Sequence, residues 1–168
     1  AEARVLEADV PALAAYSVTD VNLRALDTRW QDKTLYLQTS PEFYLKRLLA
    51  AGFGDVYYLG KAYRDDDSAA RHQPEFTMLE WYRLGFDDNL LINDVKALLN
   101  HIGLAEPLEV CDYRDVFFAK TGLDPHSASE QNLQQYCQDR YELNWDDALR
   151  STWLELIFSF EIEPTLQA

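Results

Sequence analysis

Residues 64–82, RDDDSAARHQPEFTMLEWY, set an arginine, an acidic loop and an Arg71-His72 pair directly before a run of alternating aromatic and carboxylate side chains. A strand has a side-chain period of two, so Phe76, Met78, Glu80 and Tyr82 share one face, and Glu75, Thr77, Leu79, Trp81 and Arg83 the other. The preceding run, DVYYLGKAYR, reads as a second strand that puts Tyr58, Gly60, Ala62 and Arg64 on one face. Paired as a hairpin with a long tip, the two strands bring Arg64 to the mouth of a pocket floored by Phe76, Glu80 and Tyr82. Gly60 and Ala62 leave open space beside its guanidinium, and Arg71 and His72 arrive from the loop. A guanidinium binds phosphate through a planar fork of charge-assisted hydrogen bonds and stays charged at working pH. Two such forks point to a polyphosphate, a ring on the same face to a stacked base, and a carboxylate to an amine.

Pattern alone favours a plainer account, since alternating aromatics on a strand most often form core and Arg beside Asp is most often a solvated pair. The order of specific residues decides otherwise. RHQPEFTMLEWYR resembles motif 2 of the class II aminoacyl-tRNA synthetases in its lysine-type form, where a strand ending in arginine leads through a loop to this sequence. The resemblance runs upstream through TSPEFYLKRLLAAGFGDVYYLGKAYR and reaches VLEADVPALAAYSVTDVNL, similar to the end of motif 1, with its proline at Pro11. Within the class, TMLEWYR together with VTDVNL is most similar to the elongation factor P lysine ligases, short relatives of lysyl-tRNA synthetase.

This resemblance implies that Arg64 grips the α-phosphate of ATP and is the catalytic residue, that Phe76 stacks on adenine, and that Arg71 and His72 hold the outer phosphates. It implies that Glu42 and Glu80 receive amino groups of lysine or β-lysine and that Tyr82 lies along the substrate side chain. Asp66 takes the place of the family's glutamate at the adenine edge and is one methylene shorter. Motif 3, glycine-rich and carrying a second arginine for ATP, has no counterpart in these 168 residues. Nor have the acidic residues that hold magnesium in the family, so those ligands are expected in a C-terminal part. The expectation is a partial catalytic domain of an ATP-dependent ligase acting on a lysine of elongation factor P, inactive by itself. The alternatives are a fragment of a lysyl-tRNA synthetase and a non-catalytic relative that serves as a binding or regulatory partner. Motif 1 further implies a homodimer.

Length and a hydrophobic content of 48% fit one compact domain over residues 1–168, with motif 1, pocket and motif 2 in 1–86 and a helical region in 87–168. Strands at 34–39, 55–64 and 74–86 with helices on either side argue for an α+β class, an antiparallel sheet flanked by helices with a helical insertion. That agrees with an incomplete class II synthetase core. Ser40-Pro41 opens a helix that Gly52 closes and that shows Glu42 in its first turn, where the dipole alone would favour a carboxylate. A second helix is expected from Asp88 to His101, packing through Leu90, Leu91, Val95, Leu98 and Leu99. Three more follow in DYRDVFFAKTG, SASEQNLQQYCQDR and NWDDALRSTWLELIFSF, the last with a core of Trp145, Trp153, Leu154, Ile157 and Phe158, and with Asp146 and Asp147 in the turn after Asn144.

Twenty-nine acidic against fifteen basic residues give a net charge of −14, which works against general nucleic-acid binding. For a specific tRNA domain content counts more, and with no oligonucleotide-binding barrel before motif 1 in these residues tRNA is the less favoured acceptor. No apolar run approaches membrane-spanning length, and AEARVLEADV has neither the basic nor the apolar region of a secretion signal, so a cytoplasmic protein without a membrane partner is expected. Cys111 and Cys137 are too far apart in spacing for a zinc or disulfide motif and are expected as buried or half-buried thiols. His72, His101 and His126 are too scattered to suggest a metal site.

Overall fold

A computed structural model describes residues 5–21, 23–65, 73–104, 108–141 and 149–166. The fold is mixed α+β, with small sheets and flanking helices. By its internal contacts the chain divides into two compact units, Ala1–Leu104 and Ala105–Ala168.

In the first unit one sheet has the order β1-β5-β6, formed by β1 (Leu6–Glu7), β5 (Val56–Tyr63) and β6 (Glu75–Tyr82). Alternation of exposure along β5 and β6 follows the sequence pattern: Val56, Tyr58 and Ala62 are buried, while Leu59 and Lys61 are exposed. β5 and β6 are antiparallel, whereas β1 joins β5 in parallel, with Leu6 beside Val56. A two-residue strand has no periodicity to read, so this pairing was invisible in the sequence. The second sheet, ordered β2-β4-β3, joins β2 (Leu13–Ala14), β3 (Asp27–Trp30) and β4 (Lys33–Leu37) in antiparallel fashion.

Helix α1 (Glu42–Ala50) begins after Pro41, whose restricted φ suits a helix start, and is followed by Gly52 at φ +84°. It buries Leu45 against a core of Ala8, Val10, Val56 and Tyr58, with Tyr44, Leu48, Leu49 and Tyr82 around it. β6 ends at Tyr82, four residues before the expected limit. There Arg83 turns into ion pairs with Asp55 at 3.0 Å and Asp94 at 3.3 Å, its guanidinium lies 4.4 Å from the centre of the Phe86 ring, and Gly85 takes φ +75°. Helix α2 (Asp88–His101) has the expected bounds and is capped by Asp87, which accepts a hydrogen bond from the Leu90 N–H. None of its residues is buried and Leu90 is exposed, a correction to the expected packing stripe. Helical spacing identifies the apolar face, not how much of that face other elements cover.

The second unit is helical, with α3 (Tyr113–Thr121), α4 (Glu130–Tyr141) and α5 (Arg150–Ile157), then a π turn at Phe158–Ile162 and a 3₁₀ turn at Glu163–Thr165. Asp112 caps α3 through the N–H groups of Arg114 and Asp115, and Gly122 closes it in the left-handed conformation. Its core is Phe117, Leu133, Cys137, Trp153, Ile157 and Ile162, with Leu154 and Phe158 packed against it. Trp145 and the Asn144, Asp146 and Asp147 turn lie outside the described residues. Cys137 is buried, and burial pushes its thiol up to about 11; Cys111 is exposed, which corrects the expectation of a covered thiol there.

Candidate functional site

The register of β5 with β6 sets Val56 opposite Tyr82, Tyr58 opposite Glu80, Gly60 opposite Met78 and Ala62 opposite Phe76. Directly opposed residues in an antiparallel pair point to the same face, so Phe76, Glu80 and Tyr82 stand on the face that carries Tyr58 and Ala62. Arg64 extends the ladder by one residue, its N–H donating to the Pro74 carbonyl at 3.0 Å. Its side chain returns over the same face: the guanidinium carbon is 5.2 Å from the centre of the Phe76 ring, and Nε approaches the Thr39 carbonyl at 3.4 Å. The face-sharing of positions 64 and 76 read from alternation is thus the arrangement in the fold.

At the other end of the face, the Tyr82 hydroxyl donates to Glu80 Oε1 at 2.9 Å. Burial holds the Glu80 carboxyl above the usual glutamate range, and the charge of Glu42 adds to the shift; the Tyr82 hydrogen bond, Lys46 and Arg64 pull against it. Tyr82 is driven well above the ordinary phenol range by burial first, then by its bond to Glu80 and by the Glu80 and Glu42 charges. Burial is the larger cause in both, and the charge of Glu42 on α1 adds a smaller push in the same direction. Glu42 enters from the first turn of α1, where its N–H is 3.3 Å from the Ser40 hydroxyl. Its carboxylate is already paired with the Lys46 ammonium, one helical turn on. That pair was readable from the i,i+4 spacing, which puts both side chains on one side of the helix.

The space expected beside Gly60 is not open. The Tyr58 ring lies over it, and a Cβ at position 60 would stand 2.4 Å from the Tyr58 hydroxyl oxygen. A strand pattern assigns a residue to a face without saying which neighbouring ring folds across a glycine. Asp66, Arg71 and His72 lie outside the described residues. A cleft of about 430 Å³ is lined by Leu13, Tyr16, Thr39, Phe43 and Arg47 among others, but not by Arg64, Phe76, Glu80 or Tyr82. Among the described residues no group of three or more His, Cys, Asp or Glu side chains gathers as a metal site, and no helix is long and apolar enough to cross a membrane.

The arrangement therefore offers a cation and a ring at one end and two carboxylates with a phenol at the other. Comparison with known proteins gives this chemistry a family. The model of the class II tRNA synthetases for D, K and N matches residues 2–122. A protein of Haemophilus ducreyi named elongation factor P–(R)-β-lysine ligase is 45% identical, the match covering 96% of this chain and 51% of that protein. Proteins of the same name from Pseudoalteromonas translucida and Mannheimia succiniciproducens are 42% and 41% identical, over 96% and 98% of this chain and 52% and 53% of theirs. The chain spans about half the length of the curated relatives it matches. It belongs to the class II tRNA synthetases of the D, K and N group.

Proposed function

We propose that this chain is part of the catalytic domain of an ATP-dependent ligase that activates lysine or β-lysine and passes it to a lysine of elongation factor P. The observation that carries the reading is the single sheet face on which the Arg64 guanidinium stands 5.2 Å from the centre of the Phe76 ring and the Tyr82 hydroxyl donates to Glu80. In this reading Phe76 stacks on adenine, Arg64 takes the α-phosphate, and the carboxylates receive the amino groups of the amino acid. Asp66, Arg71 and His72 complete the ATP site at the adenine edge and the outer phosphates.

A carboxylate oxygen of the amino acid attacks the α-phosphorus, the bond to the β-phosphate oxygen breaks, and pyrophosphate leaves. The acceptor amine then attacks the acyl carbon, AMP departs with the bonding pair, and the amine proton goes to solvent. Arg64 is the catalytic residue, since its guanidinium faces the negative charge that builds on the α-phosphate in the transition state. Magnesium is the ion that class II chemistry calls for, but the described residues gather no ligand set for it, and no step is assigned to it. The protein is read as cytoplasmic and homodimeric, with elongation factor P favoured over tRNA by the names of its relatives.

The test is binding of a non-hydrolysable lysyl-adenylate analogue to the 168-residue chain, with amino-acid-dependent ATP–pyrophosphate exchange measured beside it. Binding with little or no exchange is expected. A chain that fails to bind the analogue overturns the reading, and robust exchange overturns its partial character. Extended to the length of its relatives, the protein should transfer labelled lysine or β-lysine to elongation factor P; charging of tRNA alone would reverse the choice of acceptor.

A further inference from the structure

Gln38 is buried where β4 ends and the turn into α1 begins. Its Nε2 donates to the Tyr58 hydroxyl at 2.8 Å and to the Lys61 carbonyl at 2.9 Å, and that carbonyl also accepts from the Tyr58 hydroxyl at 2.9 Å. The main chain is tied at the same residue, since the Gln38 N–H donates to the Ala12 carbonyl and the Tyr63 N–H to the Gln38 carbonyl, each at 2.9 Å. The next carbonyl, that of Thr39, is the one facing Arg64 Nε, and three residues beyond it stands Glu42.

Two features show that this join is maintained against local cost. Gly60 has an ordinary strand backbone, without positive φ, in an interior strand position where glycine is disfavoured. What glycine supplies there is room, because a Cβ would collide with the Tyr58 ring. Gln38 Oε1 is meanwhile buried without a hydrogen-bond partner among the described residues, a state that disfavours the fold. Turning the amide over would let Oε1 accept from the Tyr58 hydroxyl, but would set it against the Lys61 carbonyl and lose the Nε2 bond to that carbonyl.

We infer that Gln38 and Tyr58 are positioning residues: a latch, admitted by Gly60, that fixes the spacing between Arg64 at the phosphate end and Glu42 at the amine end of the adenylate. The inference rests on the function proposed above. A latch of this kind acts on a ligand that must reach both ends at once, since misplacing one end relative to the other removes the benefit of holding them together. It leaves a ligand that uses one end largely unaffected.

The experiment compares ATP, lysine and the lysyl-adenylate analogue on the native chain and on Gln38→Leu and Tyr58→Phe, with thermal unfolding recorded for each. Tyr58→Phe keeps the ring over Gly60 and removes only the hydroxyl, so it serves if Gln38→Leu does not fold. Both variants should bind the analogue about tenfold more weakly while ATP affinity stays within about twofold. Equal weakening for all three ligands would reduce the pair to packing, and unchanged analogue affinity would also overturn the latch. A native chain that does not bind the analogue overturns the underlying reading instead, and the latch with it.

Discussion

A carboxyl half-buried on a strand face keeps its proton to higher pH than one in water, and Glu80 stands in that position beside the Tyr82 hydroxyl. Two pH effects of opposite sense follow. The folded state binds the Glu80 proton more tightly than the unfolded chain does, so this contribution to stability is fully present below the ordinary glutamate value and is lost as pH rises through the raised folded one. Amine binding needs the ionised form, so lysine affinity should climb through the same window. Calorimetric titrations across pH 4 to 7, roughly, should show that climb for the native chain and a shallower one for Glu80→Gln, in which Glu42 is the amine-site carboxylate that remains; an unchanged profile in the variant would remove Glu80 from the amine site. Phe76 gives a second residue-scale expectation. Phe76→Ala should weaken ATP binding by about 1–3 kcal/mol if the ring stacks on the base. Unaltered affinity would return Phe76 to a structural role under Arg64.

Where β6 meets α2, Arg83 is held by two carboxylates from different elements, Asp55 ahead of β5 and Asp94 on α2, and Asp55 also accepts from the Leu84 N–H at 2.8 Å. With only 11% of its side chain exposed, removing its charge strands two partly covered carboxylates. Arg83→Met should therefore destabilise the chain by about 2–3 kcal/mol in urea unfolding; a change near zero would mean that solvent reaches the pair freely. The sequence assigned Arg83 to the strand face opposite Glu80 but could not name its partners, since they lie 28 residues before it and 11 after. The same limit governs the rest of the fold. β5 and β6 were legible to within a residue or two at most boundaries because alternation is local, and α2 because its apolar spacing and cap are local. The parallel β1 pairing, the Tyr58 ring over Gly60 and the half-covered face of α2 depend on which distant segments meet, and composition records none of that. In the candidate site, Arg64, Phe76, Glu80 and Tyr82 were proposed by a resemblance and placed on one face by period; Gln38 had no motif of its own and became visible only through its bonds.

For the whole molecule the decisive quantity is charge. With 29 acidic and 15 basic residues, the chain carries a field that repels a phosphodiester backbone, whose binding depends on releasing counterions to clustered Lys and Arg. ATP is a different case, because a small polyphosphate needs a few guanidinium groups at one place, and Arg64 with Arg71 can meet that need in the proposed site. The two kinds of anion should separate experimentally. In filter binding or anisotropy at about 0.15 M salt, the 168-residue chain should not retain bulk tRNA, and lowering the salt should bring little recovery, since the surface repulsion grows as screening weakens. Binding of the adenylate analogue should change far less over the same range, being confined to a partly covered face. Tight tRNA retention that strengthens steeply as salt falls would show that a basic patch outweighs the net charge, and the acceptor would then have to be sought among tRNAs.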